Sequence, residues 1–217
     1  MMNTTQPKAV LFDLDGTLTN TLEDIAAAMN RALRMHGLPE WPTDEYRYLV
    51  GNGVKILARR AVRENQERAE AVAADYQAYY EKHNMVKTGP YPEIPELLRE
   101  LNRRNIPVCV LSNKPDADTK HVIAHYFPDI AFARVRGQTE LPIKPDPAGA
   151  LQIARELGIS PECFLYLGDT GVDMQCAVNA GMHPIGVLWG FRTAEELTAN
   201  GAETLLSGPM ALTELLP

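Results

Sequence analysis

The sequence predicts an α/β protein: a Rossmann-like, doubly wound parallel sheet with an α-helical segment inserted near its start. Three observations carry this. Apolar, partly β-branched runs at 8–12, 106–111, 130–135 (the weakest), 163–167 and 185–189 alternate with stretches of helical periodicity, as βαβ units do. Residues 20 to about 85 break that rhythm with helix upon helix and no strand pattern. The major apolar runs end in polar residues, where strands of an open α/β sheet face a ligand crevice.

The first strand reads from Lys8-Ala9-Val10-Leu11-Phe12, a short run suited to a strand buried on both faces. Gly16 and Thr17 break it, and a helix begins near Thr21. Helices are expected at 21–36, 54–63 and 66–83, punctuated by Gly37-Leu38-Pro39 and Gly51-Asn52-Gly53. Thr88-Gly89-Pro90-Tyr91-Pro92 reads as a rigid return linker. The expected division is therefore a core of residues 1–18 and 88–217 and a helical cap of residues 19–87. Since the cap leaves the sheet just after the Asp13/Asp15 loop, it is expected to cover the crevice. Its two chain crossings form a hinge, and closure excludes water. Further on, 92–104 carries Ile94, Leu97, Leu98 and Leu101 on one helical face. The stretch 145–157 does the same with Ala148, Leu151, Ile153, Ala154 and Leu157, and Gly158 stops it. The charged run 63–70 reads as a solvated helix face.

At 217 residues and 45% hydrophobic, the chain can bury a substantial core in one large domain or two unequal ones. A net charge of -7 argues against nucleic acid or an anionic membrane as partner. The polar start has no apolar leader core, and no run approaches the roughly 18 apolar residues of a membrane span. Cys109, Cys163 and Cys176 are odd in number, far apart and without a Cys or His at ligand spacing. They read as free thiols in a reducing, cytoplasmic compartment.

Asp13-Leu14-Asp15-Gly16-Thr17 sets two carboxylates at a strand end, spaced so that both point into one site. A calcium loop is excluded, because Leu18, Leu22 and Ile25 stand where further oxygen ligands belong; a plain Asp-Gly turn stays open on these residues alone. Ser112-Asn113-Lys114 follows the second strand and suits either an anion at a helix N-terminus or simple capping. Lys144 stands before the proline-flanked start of a helix, as a site residue or a surface one. Leu165-Tyr166-Leu167-Gly168-Asp169 repeats the opening pattern, with Asp173 four residues later; either acid taken singly also fits helix capping or exposure. Together, Asp13, Asp15, Asp169 and Asp173 with Lys144 and Ser112 fall at strand C-termini in one crevice. So many carboxylates repel one another and call for a divalent cation. All-oxygen ligands favour Mg²⁺ over zinc.

These residues resemble, in order, the four motifs of the haloacid dehalogenase superfamily of phosphatases: Asp13-Leu-Asp-Gly-Thr, Ser112-Asn, Lys144-Pro, and Gly168-Asp169 with Asp173. Val50-Gly51-Asn52-Gly53 and Leu188-Trp189-Gly190-Phe191 look most like the phosphoglycolate phosphatases within it. Asn20-Thr21 departs from the Asp-Ser often found there, which bears on the hinge and not on catalysis. The resemblance implies that Asp13 is the nucleophile and forms an aspartyl phosphate. Asp15 protonates the leaving oxygen and then deprotonates water. Asp13, the Asp15 backbone carbonyl and Asp169 would hold Mg²⁺, with Asp173 orienting a metal-bound water or Lys144. Gly16, Thr17, Ser112, Asn113 and Lys144 would bind the phosphoryl group, and Lys144 would offset the charge on Asp13.

The expected activity is hydrolysis of a small phosphorylated metabolite, 2-phosphoglycolate foremost. A phosphomutase of the β-phosphoglucomutase type is expected to carry a histidine soon after the first motif, and 21–34 has none. A non-catalytic phosphate-binding regulator tolerates loss of an acid, and none is missing. Another sugar or acid phosphate remains the alternative substrate. Lys55, Arg59 and Arg60, beside the Gly51–Gly53 loop, either receive the substrate's carboxylate or solvate a helix. His121 and His125 share a helix face without an intervening Glu, far from the motifs; His36, His83 and His183 are isolated and read as structural.

Overall fold

The computed structural model describes residues 6–217; Met1–Thr5, part of the start read above as free of a leader, lie outside the described residues. The strands are β1 (Ala9–Phe12), β2 (Thr19–Asn20), β3 (Gly89–Pro90), β4 (Val108–Pro115), β5 (Phe132–Gln138), β6 (Phe164–Gly168), β7 (His183–Val187) and β8 (Thr204–Leu206). The helices are α1 (Leu22–Met35), α2 (Tyr46–Leu49), α3 (Val54–Ala61), α4 (Ala69–His83), α5 (Ile94–Arg103), α6 (Asp116–Tyr126), α7 (Ala148–Leu157), α8 (Gly171–Ala180) and α9 (Ala194–Ala199).

Six strands form one parallel sheet in the order β5-β4-β1-β6-β7-β8. Alternate side chains of each central strand enter different cores. Val10, Phe12, Val108, Val110, Leu165 and Leu167 join the Ile94, Leu97, Leu98 and Leu101 face of α5. Ala9, Leu11, Cys109, Leu111, Phe164 and Tyr166 meet α7 and α8 on the other side. Both faces are covered, which is why these strands read as continuous apolar runs. Each fully buried leucine of α5 contributes roughly 1.5–3 kcal/mol by leaving water. From β1 the chain runs outward through β4 to β5, then returns to β6 on the other flank of β1. That reversal opens the crevice at the C-terminal ends of β1, β4 and β6.

Helices α1 to α4 bury a second core, joined from outside the segment by Phe191, in which Ile25, Met29 and Leu33 of α1 share a cluster with Leu57 of α3 and with Val72, Tyr76 and Tyr80 of α4. The chain enters and leaves this segment through the antiparallel ribbon β2/β3, where Thr19 faces Pro90 and Asn20 faces Gly89. Asp24, buried in the first turn of α1, clasps the return strand. Its carboxylate accepts the backbone N–H groups of Val86, Lys87 and Thr88 and the Thr88 hydroxyl, at 2.8–3.0 Å. Sequence reading had not singled out this acid.

Several expectations need correction. The sheet has six strands where five apolar runs were expected, because β8 is only three residues long and carries no periodicity. The run at 130–135 becomes a strand two residues later, and the run at 185–189 becomes one two residues earlier. Helix α7 starts at Ala148 and not at 145. Lys144 and Asp146 each precede a proline and are steered away from helical geometry, and Asp146 Oδ1 accepts the Ala148 N–H at 2.8 Å. Gln66–Arg68 is a 3-10 turn ahead of α4. No helix among the described residues is long and apolar enough to cross a membrane.

Candidate active site

Asp13 follows β1 in the sheet's own register, its N–H donating to the Leu167 carbonyl at 2.9 Å. The chain then turns tightly: Thr17, Leu18 and Thr19 all donate backbone N–H groups to the Leu14 carbonyl. Gly16, at φ +96°, passes so close to Asp169 that a β-carbon would collide with its carboxylate. Gly190 also packs against Asp169, where a β-carbon would collide with the Asp169 side chain and the Gly16 carbonyl. The Leu188–Phe191 segment therefore pins two loops at once. Phe191 N–H donates to Asp169 Oδ2 at 3.0 Å, and the Trp189 indole N–H donates to the Thr17 carbonyl at 3.0 Å.

Asp13, Asp169 and Asp173 form one buried cluster with carboxylate oxygens within 4.8 Å of one another; no other such group of candidate metal ligands exists among the described residues, and His121 and His125 are not part of it. Lys144, 3% exposed, donates to Asp13 Oδ1 at 2.8 Å, Asp173 Oδ1 at 2.7 Å and the Leu111 carbonyl at 3.0 Å, using all its N–H groups. Asp173 spends its other oxygen on the Thr170 N–H and hydroxyl, the capping box of α8. Asp169 Oδ1 accepts the Thr17 hydroxyl at 3.0 Å. Asp13 Oδ2 and the remaining lone pairs of Asp169 are thus the free acceptors of the cluster.

The electrostatics follow from burial. Desolvation pushes the Asp13 carboxyl up to about 7, against the pull of Lys144 and with added repulsion from Asp173 and Asp15. Desolvation raises Asp169 well above the usual carboxylate range, reinforced by Asp173 and Asp13. For Lys144, burial disfavours the charge, but Asp13 and Asp173 more than offset it and raise the pKa. One ammonium facing three acids leaves the cluster short of positive charge. An all-oxygen divalent cation such as Mg²⁺ fits that deficit.

A stability prediction arises here. Without divalent metal, the folded chain holds a proton on Asp13 up to about pH 7, whereas the unfolded chain releases it near 3.8. Between those values the folded state binds more protons, so stability falls as pH rises. In EDTA, the Tm of the wild type relative to Asp13→Asn is expected to rise from about pH 8 to about pH 6. Saturating Mg²⁺ should remove that rise, since the cation replaces the protons. Scanning calorimetry at stepped pH decides it; a metal-free difference independent of pH refutes the charge assignment.

Asp15, two residues on, points away from the cluster. Lys114 Nζ donates to both its oxygens, at 2.8 and 2.9 Å, and to the Tyr80 hydroxyl at 2.9 Å. Burial works against the Lys114 charge, and Asp15 together with Tyr76 and Asp118 outweighs it, leaving the pKa raised. Ser112 is buried in the second half of β4, where its hydroxyl accepts the Lys114 N–H at 3.2 Å. Asn113 donates to the Gly51 and Lys144 carbonyls and accepts the Lys144 N–H. With both amide hydrogens engaged, its side chain joins the loops and has none left for a phosphate.

A cavity lies between these strand ends and the helical segment. Its floor includes Asp13, Asp15, Ser112, Lys114 and Lys144; Ile25, Val50, Val54, Leu57, Tyr76 and Tyr80 supply its roof. Lys55, Arg59 and Arg60 do not line it. They are exposed, and Arg60 is taken up by the Leu49 carbonyl and Asn52. Their placement favours the solvated-helix alternative over a carboxylate receptor. Sequence reading missed Lys114 and Tyr80 as site residues, although Lys114 directly follows Ser112-Asn113 at the strand end.

Comparison with known proteins agrees with this geometry. The family model for haloacid dehalogenase-like hydrolases matches residues 10–187. The phosphoglycolate phosphatase of Pseudomonas putida is 31% identical over 217 residues, covering 96% of this chain and 79% of that protein. The phosphoglycolate phosphatase of Aquifex aeolicus is 33% identical, covering 96% of both. A solved structure from Lactobacillus delbrueckii subsp. bulgaricus superposes with a TM-score of 0.91 at 27% identity, covering 97% of this chain and 98% of that one.

Proposed function

Because this chain belongs to the haloacid dehalogenase-like hydrolases and is a phosphoric monoester hydrolase, we propose that it hydrolyses a small phosphomonoester, 2-phosphoglycolate foremost, through an aspartyl phosphate on Asp13. One observation carries the mechanism: a buried carboxylate with a free oxygen, held by Lys144 at the floor of a cavity, has a second carboxylate two residues away.

Asp13 Oδ2 attacks phosphorus while Lys144 holds Oδ1, so the nucleophile is oriented through the atom it does not use. Asp15 protonates the departing oxygen and later takes a proton from the attacking water. Ser112, buried on the floor, hydrogen-bonds the phosphoryl oxygens, with Lys144 as the adjacent positive charge. Asp13, the Asp15 backbone carbonyl and Asp169 would hold Mg²⁺, whose chemistry is to neutralise and orient the phosphoryl oxygens. Residues 19–87 act as a cap over a core of 1–18 and 88–217. That second core and the two-crossing β2/β3 ribbon support that division, and closure shields the aspartyl phosphate from stray water.

The test is phosphate release from p-nitrophenyl phosphate with and without Mg²⁺, followed by a panel of phosphorylated metabolites ranked by kcat/KM. Absence of Mg²⁺-dependent release sinks the proposal, and a sugar phosphate at the top of the ranking sinks the substrate. Asp15→Asn is expected to slow both half-reactions by roughly 10²–10⁴-fold. The first-step loss should shrink for p-nitrophenyl phosphate, whose leaving group hardly needs a proton. An equal loss for p-nitrophenyl and alkyl phosphates in pre-steady-state release removes Asp15 from the acid role.

A further inference from the structure

Two cations line the cavity, and they are not equivalent. Lys144 has spent its three N–H groups on Asp13, Asp173 and the Leu111 carbonyl, and it serves the phosphoryl end. Lys114 reaches up from β4 to Asp15, the residue assigned to the leaving oxygen, and to Tyr80, which comes down from α4. The Tyr80 hydroxyl accepts from Lys114, and its own hydrogen has no acceptor among the described residues. An ammonium and a hydroxyl from opposite walls therefore converge beside the leaving-group side of the site.

From this juxtaposition, and resting on the phosphatase reading above, we propose that Lys114 and Tyr80 form the receptor for a carboxylate carried on the substrate's leaving alcohol. Binding draws Lys114 off Asp15 and frees the Asp15 side chain to meet the ester oxygen. The span suits a short substrate. In 2-phosphoglycolate two carbon atoms separate the ester oxygen from a carboxylate oxygen, and here a single ammonium touches both the Asp15 carboxylate and the Tyr80 hydroxyl. Tyr76 and Gln77 also line the cavity, but the Ile25, Val50, Val54 and Leu57 side chains offer a sugar no hydrogen bonds, and their low polarity strengthens an ion pair. Both Asp15 oxygens accept from Lys114. A substrate without the carboxylate thus leaves that pair standing and gains less help at its leaving oxygen.

The experiment compares kcat/KM for 2-phosphoglycolate, ethyl phosphate and p-nitrophenyl phosphate, at saturating Mg²⁺, in the wild type, Lys114→Met and Tyr80→Phe. Ethyl phosphate replaces the carboxylate with a methyl group. The wild type should prefer 2-phosphoglycolate, and Lys114→Met should collapse its advantage over ethyl phosphate by about 10²–10³-fold. Tyr80→Phe, which keeps the ring and its packing, should narrow the same ratio by about 10-fold. If Lys114→Met does not fold, Tyr80→Phe decides alone. An equal loss on all three substrates reduces Lys114 to a positioning residue for Asp15 and overturns the receptor, as does a ratio that neither variant moves. A wild type that hydrolyses all three but shows no preference for 2-phosphoglycolate overturns the receptor and leaves the phosphatase standing. One that hydrolyses none removes the phosphatase reading and the receptor with it.

Discussion

Asp13→Asn is expected to abolish turnover, lowering kcat on the order of 10⁴–10⁶-fold, the scale on which removal of a nucleophile registers. The amide is nearly isosteric, and its oxygen can still accept the Lys144 N–H now given to Asp13 Oδ1. The fold should therefore survive. In metal-free protein it should gain stability at neutral pH, because a neutral group replaces a buried carboxylate whose pKa stands near 7. What is lost is the anionic oxygen that attacks phosphorus. Acid quenching during turnover of radiolabelled substrate should trap label on the wild-type chain and none on the variant. Wild-type turnover by Asp13→Asn, or a trapped adduct on another residue, rejects the covalent mechanism as drawn.

The legibility of this chain in its sequence followed the range of the interactions involved. Strands β1 and β6 are short apolar runs buried on both faces, so composition alone marks them. The acids at their ends stood out because charge has no place in a core. Strand β4 runs on through Ser112, Asn113 and Lys114, where no apolar pattern continues and the ladder with β5 is itself irregular between Leu111 and Pro115. The Lys114–Asp15 pair joins residues 99 positions apart, and nothing local to either announces the other. Asp24 was hidden for the same reason, since its partners lie 62 to 64 positions away. The cations of α3 are a different case. Leu57, Ala58 and Ala61 are the buried residues of α3, so helical periodicity already turned Lys55, Arg59 and Arg60 outward. Proximity in sequence to the Gly51–Gly53 loop had suggested otherwise.

The relative cost of losing Asp169 and Asp173 tests how the acidic cluster divides its work. All three carboxylates lie close enough to share one cation, so proximity does not rank them. Their hydrogen bonds do. Asp173 has committed one oxygen to Lys144 and the other to Thr170, whereas Asp169 accepts only single bonds from Thr17 and Phe191. Asp169→Ala is therefore expected to raise the Mg²⁺ concentration needed for half-maximal activity and to lower kcat severely, by roughly 10²–10⁴-fold. Excess Mg²⁺ should restore part of the activity through Asp13 and the Asp15 carbonyl. Asp173→Ala should cost less activity, about 10–100-fold, by loosening Lys144 and with it Asp13. It should also lower stability by about 1 kcal/mol through loss of the Asp173 half of the α8 capping box. Activity against Mg²⁺ concentration and a denaturant melt on each variant separate the two signatures. If Asp173→Ala weakens Mg²⁺ binding, raising the concentration needed for half-maximal activity, more than Asp169→Ala does, Asp173 must give up a bond to Thr170 or Lys144 to become the ligand, and the two roles exchange.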